Sequence, residues 1–329
     1  MSSEKPFMSV TLSTPLNATL PVTVRPYVED RLPAGVNARY FSSGPEAFAL
    51  APDTDIGWFD MFNKEAMAKA ISLATRMKWL NSVYAGVEAI PLTDLKTRGT
   101  LLTNGAGINA ITIAEYVLMA MLGIAKGYRA LVQAQDRHEW LADAPGRAEL
   151  YESKALIVGF GSIGQEVAQR LKGFHVNITA VRRHPQQDGT ATLGPQQWQS
   201  RLAEFDWVIL AVPATPETDK LMGAQQFAAM KPGATLINVA RGSVVDQEAL
   251  LAALDQKQLA HAFLDVTEPE PLPPEHPLWA HPQVHISMHM SGRSQTRMFE
   301  RAAARFLENL AHFKAGEPLT YRVNLDAGY

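Results

Sequence analysis

The chain has 329 residues, 47% of them hydrophobic and 19% charged, which is enough apolar material for two packed domains. A net charge of −3 carries no basic excess, so nucleic acid is not an expected partner, and zero cysteines exclude disulfides, thiolate metal ligands and a cysteine nucleophile. The start, Met1-Ser-Ser-Glu-Lys-Pro6, lacks an apolar signal core, and the longest apolar stretch, Ile113 to Ala125, contains Glu115 and is short for a bilayer; a cytoplasmic protein without membrane or metal is expected.

From the N-terminus, strand-like runs occur at Val22-Thr-Val-Arg25 and Ile56-Gly-Trp-Phe59, with a helical stretch from Lys64 to Ala74. Short strands are expected at Leu80-Asn-Ser-Val83 and Thr100-Leu-Leu-Thr103, and this alternation indicates a parallel sheet. From Ile108 to about Val132 runs a helix with apolar residues on more than one face, as expected of a helix buried between domains or subunits.

The run Ala155-Leu-Ile-Val-Gly159-Phe-Gly161-Ser-Ile-Gly164 is a buried strand turning on glycines into the helical stretch Gln165 to Leu171. In a dinucleotide-binding βαβ unit, Gly159 makes the tight turn, Gly161 lets a pyrophosphate approach the backbone and Gly164 lets helix and strand pack closely. The next strand, Val176 to Val181, ends in Arg182-Arg183-His184. An acid about 20 residues past the glycines takes the ribose hydroxyls of NAD, whereas an arginine suits a 2′-phosphate. Arg182 lies 18 residues after Gly164, so NADP(H) is expected over NAD(H), with NAD(H) the alternative.

Further strands are expected at Trp207–Val212, Ala234–Ala240, Ala262–Asp265 and Val284–Ser287, then a last helix from Gln295 to Lys314 and a short tail. This makes a doubly wound α/β domain of six strands. The expected division is residues 1–103 with 294–329 as a substrate domain and 104–293 as a dinucleotide-binding domain, the chain crossing twice to form a hinge. Ligands of such sheets bind beyond the carboxyl ends of the strands. Arg241, Glu270 and His289 fall at or after such ends. An arginine for a carboxylate, a histidine for a proton and an acid beside the histidine form the set that reduction of a 2-oxo acid requires.

These motifs resemble the D-2-hydroxyacid dehydrogenases, from about Leu80 to Gly292. Asn238-Val-Ala-Arg-Gly-Ser-Val-Val-Asp-Gln-Glu-Ala-Leu250 resembles the family's arginine signature, and Leu264-Asp-Val-Thr-Glu-Pro-Glu-Pro-Leu-Pro273 its glutamate loop. His276-Pro-Leu-Trp279 with His289-Met-Ser-Gly292 resembles its histidine segment. Thr103-Asn-Gly-Ala-Gly107 with Ala114-Glu115 resembles the approach to its first interdomain helix, and Ala85-Gly-Val-Glu88 its carboxylate-binding loop.

The resemblance implies two doubly wound parallel-sheet domains, a flavodoxin-like substrate domain and a Rossmann dinucleotide-binding domain. It implies that Arg241 binds the substrate carboxylate and keto oxygen, that His289 protonates that oxygen as hydride arrives, and that Glu270 holds the imidazole and favours its protonated form. Asp265 would touch the nicotinamide carboxamide. Gly159, Gly161, Ser162, Ile163, Gly164, Arg182, Arg183, Val212, Pro213, Thr218, Ala240 and Gly292 would line the cofactor. Ala85 and Gly86 would give backbone donors to a small 2-oxo or 2-hydroxy acid.

Two positions depart from the family: Met288 stands in place of a proline and Thr267 in place of an aromatic residue. Trp58, with Met61 and Phe62, is expected to wall the substrate side chain. Trp140 would reach a neighbouring subunit in a homodimer. The expected activity is NADPH-preferring reduction of glyoxylate, hydroxypyruvate or a related 2-oxo acid. A 3-phosphoglycerate dehydrogenase-like enzyme and a non-catalytic dinucleotide sensor are the alternatives.

Overall fold

The computed structural model describes residues 15–183, 189–293 and 295–326; His184 lies outside them. The chain divides into two compact units, Met1–Ile108 with Gln295–Tyr329, and Asn109–Ser294.

In the first unit the strand expected at Val22–Arg25 is absent. The strand is Leu16–Pro21 (β1), and Val22–Val24 is a 3-10 turn leading into a short helix, Arg25–Val28 (α1). Pro26 accounts for this, because proline cannot donate to a sheet ladder but fits the first turn of a helix. Val36–Phe41 (β2), Ile56–Gly57 (β3), Trp79–Asn81 (β4) and Leu101–Thr103 (β5) complete a parallel sheet of order β2-β1-β3-β4-β5, the flavodoxin-like order. Side-chain caps start two of the intervening helices: Ser43 caps Gly44–Leu50 (α2), and Asn63 caps Lys64–Leu73 (α3). Leu92–Arg98 (α4) ends on the left-handed Gly99. The C-terminal helix, Met298–Ala315, seals the core with Phe306, whose ring lies 5.4 Å from Trp58 and 5.2 Å from Trp79. The tail then returns to the sheet, where the Val323 amide donates to the Leu102 carbonyl.

In the second unit the single helix expected over 108–132 is two, Ala110–Ala125 (α5) and Tyr128–Asp136 (α6), bent by 70°. The left-handed Gly127 (φ 62°) sets the break. Then come Lys154–Val158 (β6), Ser162–Lys172 (α7), Asn177–Val181 (β7), Ala191–Leu193 (β8), Trp207–Leu210 (β9), Ala224–Ala229 (α8), Ala234–Asn238 (β10), Gln247–Asp255 (α9), Leu259–Leu264 (β11) and Val284–Ile286 (β12). The sheet order is β12-β11-β10-β9-β6-β7-β8, parallel throughout. Every residue of β9 and β10 is buried, because helices cover both faces of a doubly wound sheet. Among the described residues no single helix is long and apolar enough to cross a membrane.

Candidate active site

Between β6 and β9 the strand order of the seven-stranded sheet reverses, which creates a crevice beyond the strand ends. The glycine turn leaves β6 there. Gly159 has φ 98°, and a Cβ on it would lie 2.5 Å from the Ala211 carbonyl oxygen. A Cβ on Gly164 would lie 2.3 Å from the Gly159 oxygen, so the helix start sits directly on the turn. At Gly161, by contrast, a Cβ would meet nothing within 4 Å. Gly161 is also the N-cap of α7 and offers no side-chain acceptor, which leaves the first amides of the helix, Ser162 and Ile163 included, for an anion. These residues fit a pyrophosphate.

Val212 and Pro213 leave the neighbouring strand β9. Thr218 folds their loop, its hydroxyl accepting from the Thr215 amide (2.8 Å) and donating to the Pro213 carbonyl (2.7 Å). The two arginines after β7 separate. Arg182 is 8% exposed, with its guanidinium 4.2 Å from the centre of the Phe160 ring in the glycine turn, whereas Arg183 is exposed. Arg183 is also near enough to Glu217 to help the Thr215 hydroxyl hold that carboxyl below its usual range.

Three adjacent strands supply the titratable groups. After β10, the fully buried Asn238 clamps the chain: its amide donates to the Arg241 carbonyl (2.9 Å) and its oxygen accepts from the Ala240 amide (3.0 Å). Arg241 Nη1 donates to the Ala240 carbonyl at 2.8 Å. Gly242 follows, and a Cβ there would lie 2.0 Å from the Thr267 carbonyl oxygen, so the arginine turn packs tightly on the glutamate loop after β11. Glu270 Oε2 lies 2.8 Å from His289 Nδ1 on the loop after β12, and both side chains are about two-fifths exposed. The structure therefore joins Glu270 to His289, and sets Arg241 on the loop of the adjoining strand. Gly292 is half-buried just beyond the histidine, against Asn109.

Asp265 is 2% exposed and its carboxylate is occupied within the protein. Oδ1 accepts from Ser287 Oγ (2.6 Å) and from the amides of Met290 (3.0 Å) and Ser291 (3.1 Å), and Oδ2 accepts from Ser291 Oγ. Ser287 and Ser291 went unremarked in the sequence, although they flank His289. Met288 and His289 both have positive φ, 53° and 55°. Proline, fixed near −65°, cannot take that conformation, so the departure at Met288 changes the backbone as well as the side chain.

In the first unit, the amides of Ala85, Gly86 and Val87 find no acceptor among the described residues, and three successive amides of this kind suit an anion. The loop is tied down by a residue that sequence reasoning missed. Asp60, just past β3, accepts from Trp58 Nε1 (2.7 Å), Ser82 Oγ (2.7 Å) and the Val83 amide (2.5 Å). Burial pushes its carboxyl above the usual range, against the pull of these donors. Its place directly after a strand was the available signal. The expectation for Trp58 fails: the side chain is fully buried beneath Phe306 and has no surface to offer a substrate. Phe62, 95% exposed, is not part of that core.

The family model for "D-isomer specific 2-hydroxyacid dehydrogenase, NAD binding domain" matches residues 118–291. A protein of Serratia proteamaculans (strain 568) named glyoxylate/hydroxypyruvate reductase A is 34% identical over 267 residues, 77% of this chain and 82% of that one. The crystal structure of a D-isomer specific 2-hydroxyacid dehydrogenase family protein from Aeromonas salmonicida subsp. salmonicida A449 superposes with a TM-score of 0.84 at 29% identity, covering 95% of this chain and 100% of that one. Another, from Xanthobacter autotrophicus Py2 in complex with NADPH and MES, superposes at 0.79 with 25% identity, covering 96% and 100%. With the motif match extending over half of the chain, the protein belongs to the D-isomer specific 2-hydroxyacid dehydrogenase family of NAD(P)-dependent oxidoreductases.

Proposed function

We propose that this enzyme reduces a small 2-oxo acid, of the glyoxylate or hydroxypyruvate type, to the D-2-hydroxy acid with NADPH as the preferred donor. The observation that carries the reading is the 2.8 Å pair of Glu270 and His289, set one strand away from the Arg241 loop at the carboxyl ends of a dinucleotide-binding sheet. A nicotinamide held by the glycine turn and the Val212–Pro213 loop would supply hydride to the carbonyl carbon. Arg241 holds the carboxylate and polarises the keto oxygen, and His289 gives that oxygen a proton, so no free alkoxide forms. Glu270 fixes the imidazole through Nδ1 and leaves Nε2 to carry the proton. The Ala85 and Gly86 amides are the anion receptor that the first unit offers. A panel of 2-oxo acids, assayed with NADPH and NADH separately, tests the reading; turnover of none of them with either cofactor sinks it.

Cofactor choice rests on charge after β7. No acid stands at 182 or 183, and the exposed Arg183 lies at the surface while Arg182 backs the glycine turn. Hydrogen bonds to a charged partner contribute about 1.5–3 kcal/mol, so Arg183→Ala should raise KM for NADPH by about ten- to a hundredfold. KM for NADH should hardly move. An equal change in both would take Arg183 away from the 2′-phosphate.

The enzyme is also proposed to be a homodimer of the cytoplasm, the location to be checked by cell fractionation. Beside the edge strand β12, Met119, Tyr128, Trp279 and His285 line an apolar hollow of about 410 Å³. Burial pushes His285 down to about 4, with the neighbouring His261 and the Arg129 charge acting in the same direction, so its imidazole is neutral at neutral pH. Leu131 and the 98%-exposed Trp140 extend the apolar character of this unit's surface. Exposed apolar area of this kind marks an interaction face, and a second copy satisfies it. Light scattering at micromolar concentration should give twice the chain mass; a monomer there would remove the assignment.

A further inference from the structure

In the first unit, the loop after β4 is held from both flanks, and the two sets of contacts fix different parts of it. On the β3 side, Asp60 Oδ2 accepts from Trp58 Nε1 (2.7 Å) and the Val83 amide (2.5 Å), and Oδ1 accepts from Ser82 Oγ (2.7 Å). Ser82 Oγ in turn accepts from the Tyr84 amide (3.1 Å). The amides of Val83 and Tyr84 are thus taken up by Asp60, directly and through Ser82, and the run without an acceptor among the described residues begins at Ala85. On the β5 side the carbonyls are held. The Gly105 amide donates to the Tyr84 carbonyl (2.8 Å), and the buried Asn104 donates through Nδ2 to the Ala85 carbonyl (2.8 Å). In a planar trans peptide the N–H points opposite to the C=O, so anchoring these two carbonyls turns the Ala85 and Gly86 amides away from β5.

We infer that Asp60 is a positioning residue for substrate binding: by fixing the start of this loop it aims the Ala85 and Gly86 amides, and so sets the affinity for the carboxylate of the 2-oxo acid. Burial opposes the ionised form of such a group, and its three donors offset that penalty. Capping the Trp58 indole alone would need one acceptor, and Asp60 gives its other two contacts to the loop. The role is geometric, so an asparagine can fill it. Its oxygen takes the place of Oδ2 before Trp58 and Val83, and its N–H₂ donates to Ser82 Oγ, which has a second lone pair beside the one facing the Tyr84 amide. An alanine removes the acceptors of Ser82 and Val83 together. The loop then keeps its Asn104 and Gly105 contacts but loses its anchor on the β3 side, and the receptor amides drift from their aim.

This inference rests on the reading of the Ala85 and Gly86 amides as an anion receptor, and the test separates the two. Asp60→Ala, Asp60→Asn and Ser82→Ala are compared with Gly86→Pro, which deletes one receptor amide. Each is assayed for KM and kcat with the best 2-oxo acid of the panel, and for NADPH affinity by fluorescence titration. Asp60→Ala is expected to raise KM by about ten- to a hundredfold, the range of a hydrogen bond to a charged partner. The drop in kcat should be smaller, because the contact binds ground state and transition state alike. Ser82→Ala keeps the carboxylate with its Trp58 and Val83 bonds, so KM should rise by about three- to tenfold, and this variant decides the matter if Asp60→Ala does not fold. Asp60→Asn should restore KM to within about threefold of wild type, since it can make the same contacts. NADPH affinity should hold in all of them. Wild-type KM in both Asp60→Ala and Ser82→Ala, with KM raised in Gly86→Pro, would overturn the inference. An Asp60→Asn enzyme as impaired as Asp60→Ala would overturn it in favour of a need for the charge itself, and NADPH affinity falling in step with KM would reduce the effect to general damage. Wild-type KM in Gly86→Pro would instead remove the reading beneath it.

Discussion

His289→Ala is expected to lower kcat for reduction of the 2-oxo acid by about 10²–10⁴-fold, the usual contribution of a general acid, while NAD(P)H binding stays as it was. The imidazole is held through Nδ1 by Glu270 at 2.8 Å, on a loop leaving the strand next to the one that delivers Glu270 itself. That leaves Nε2 as the atom able to carry a proton to the reacting oxygen. Nothing else among the described residues of this loop cluster duplicates the function: Asp265 is engaged by the loop, and a guanidinium such as that of Arg241 serves as a hydrogen-bond donor. Glu270→Gln should fall between wild type and His289→Ala. The amide can still accept from Nδ1–H and so hold the ring, but the negative charge beside it is gone. Full retention of kcat in His289→Ala, with hydride transfer limiting, would mean that another group or water supplies the proton.

The parts of this site that were legible in the sequence are those that short windows encode. A strand, a glycine turn and a helix start lie within ten residues at Ala155–Gly164, and each glycine has a local steric duty, seen in the 2.5 Å and 2.3 Å approaches that a Cβ would make at Gly159 and Gly164. Arg241, Glu270 and His289 could be found because strand ends are marked by apolar runs stopping. What failed depended on distant chain. Trp58 looks like a pocket wall until Phe306, from the far end of the sequence, covers it. The strands β2 and β8 were overlooked because both are sheet edges, where one side of the ladder is open and the apolar signal is weak. Arg182 and Arg183 are equivalent on paper. Successive residues of an extended chain face opposite ways, and only the fold shows that the first lies against Phe160 and the second against solvent. Ser287 and Ser291 were invisible for a related reason, each being defined by its hydrogen-bond partners, and Asp60 showed only its place after a strand, not the donors it gathers.

Arg241→Ala should be as damaging as loss of the histidine, but in a different way, with KM for the 2-oxo acid raised and kcat lowered together. A planar guanidinium can meet a carboxylate through two parallel hydrogen bonds and still offer a donor to the neighbouring keto oxygen, so it acts on binding and on orientation at once. Its backbone is fixed by the buried Asn238, and one of its own nitrogens is anchored to the Ala240 carbonyl, which limits the arcs the head can sweep. Removing one partner of a hydrogen-bonded charge pair costs about 2–5 kcal/mol, which corresponds to a loss in kcat/KM on the order of thirtyfold to several thousandfold. Arg241→Lys separates the two roles. The charge stays, so the 2-oxo acid should bind to a useful extent, but the fork is lost, and the keto oxygen is no longer held where His289 can reach it. Its KM should therefore recover more than its kcat. Equal recovery of both would mean that charge alone matters, and an Arg241→Ala enzyme with wild-type kinetics would remove the arginine from the mechanism.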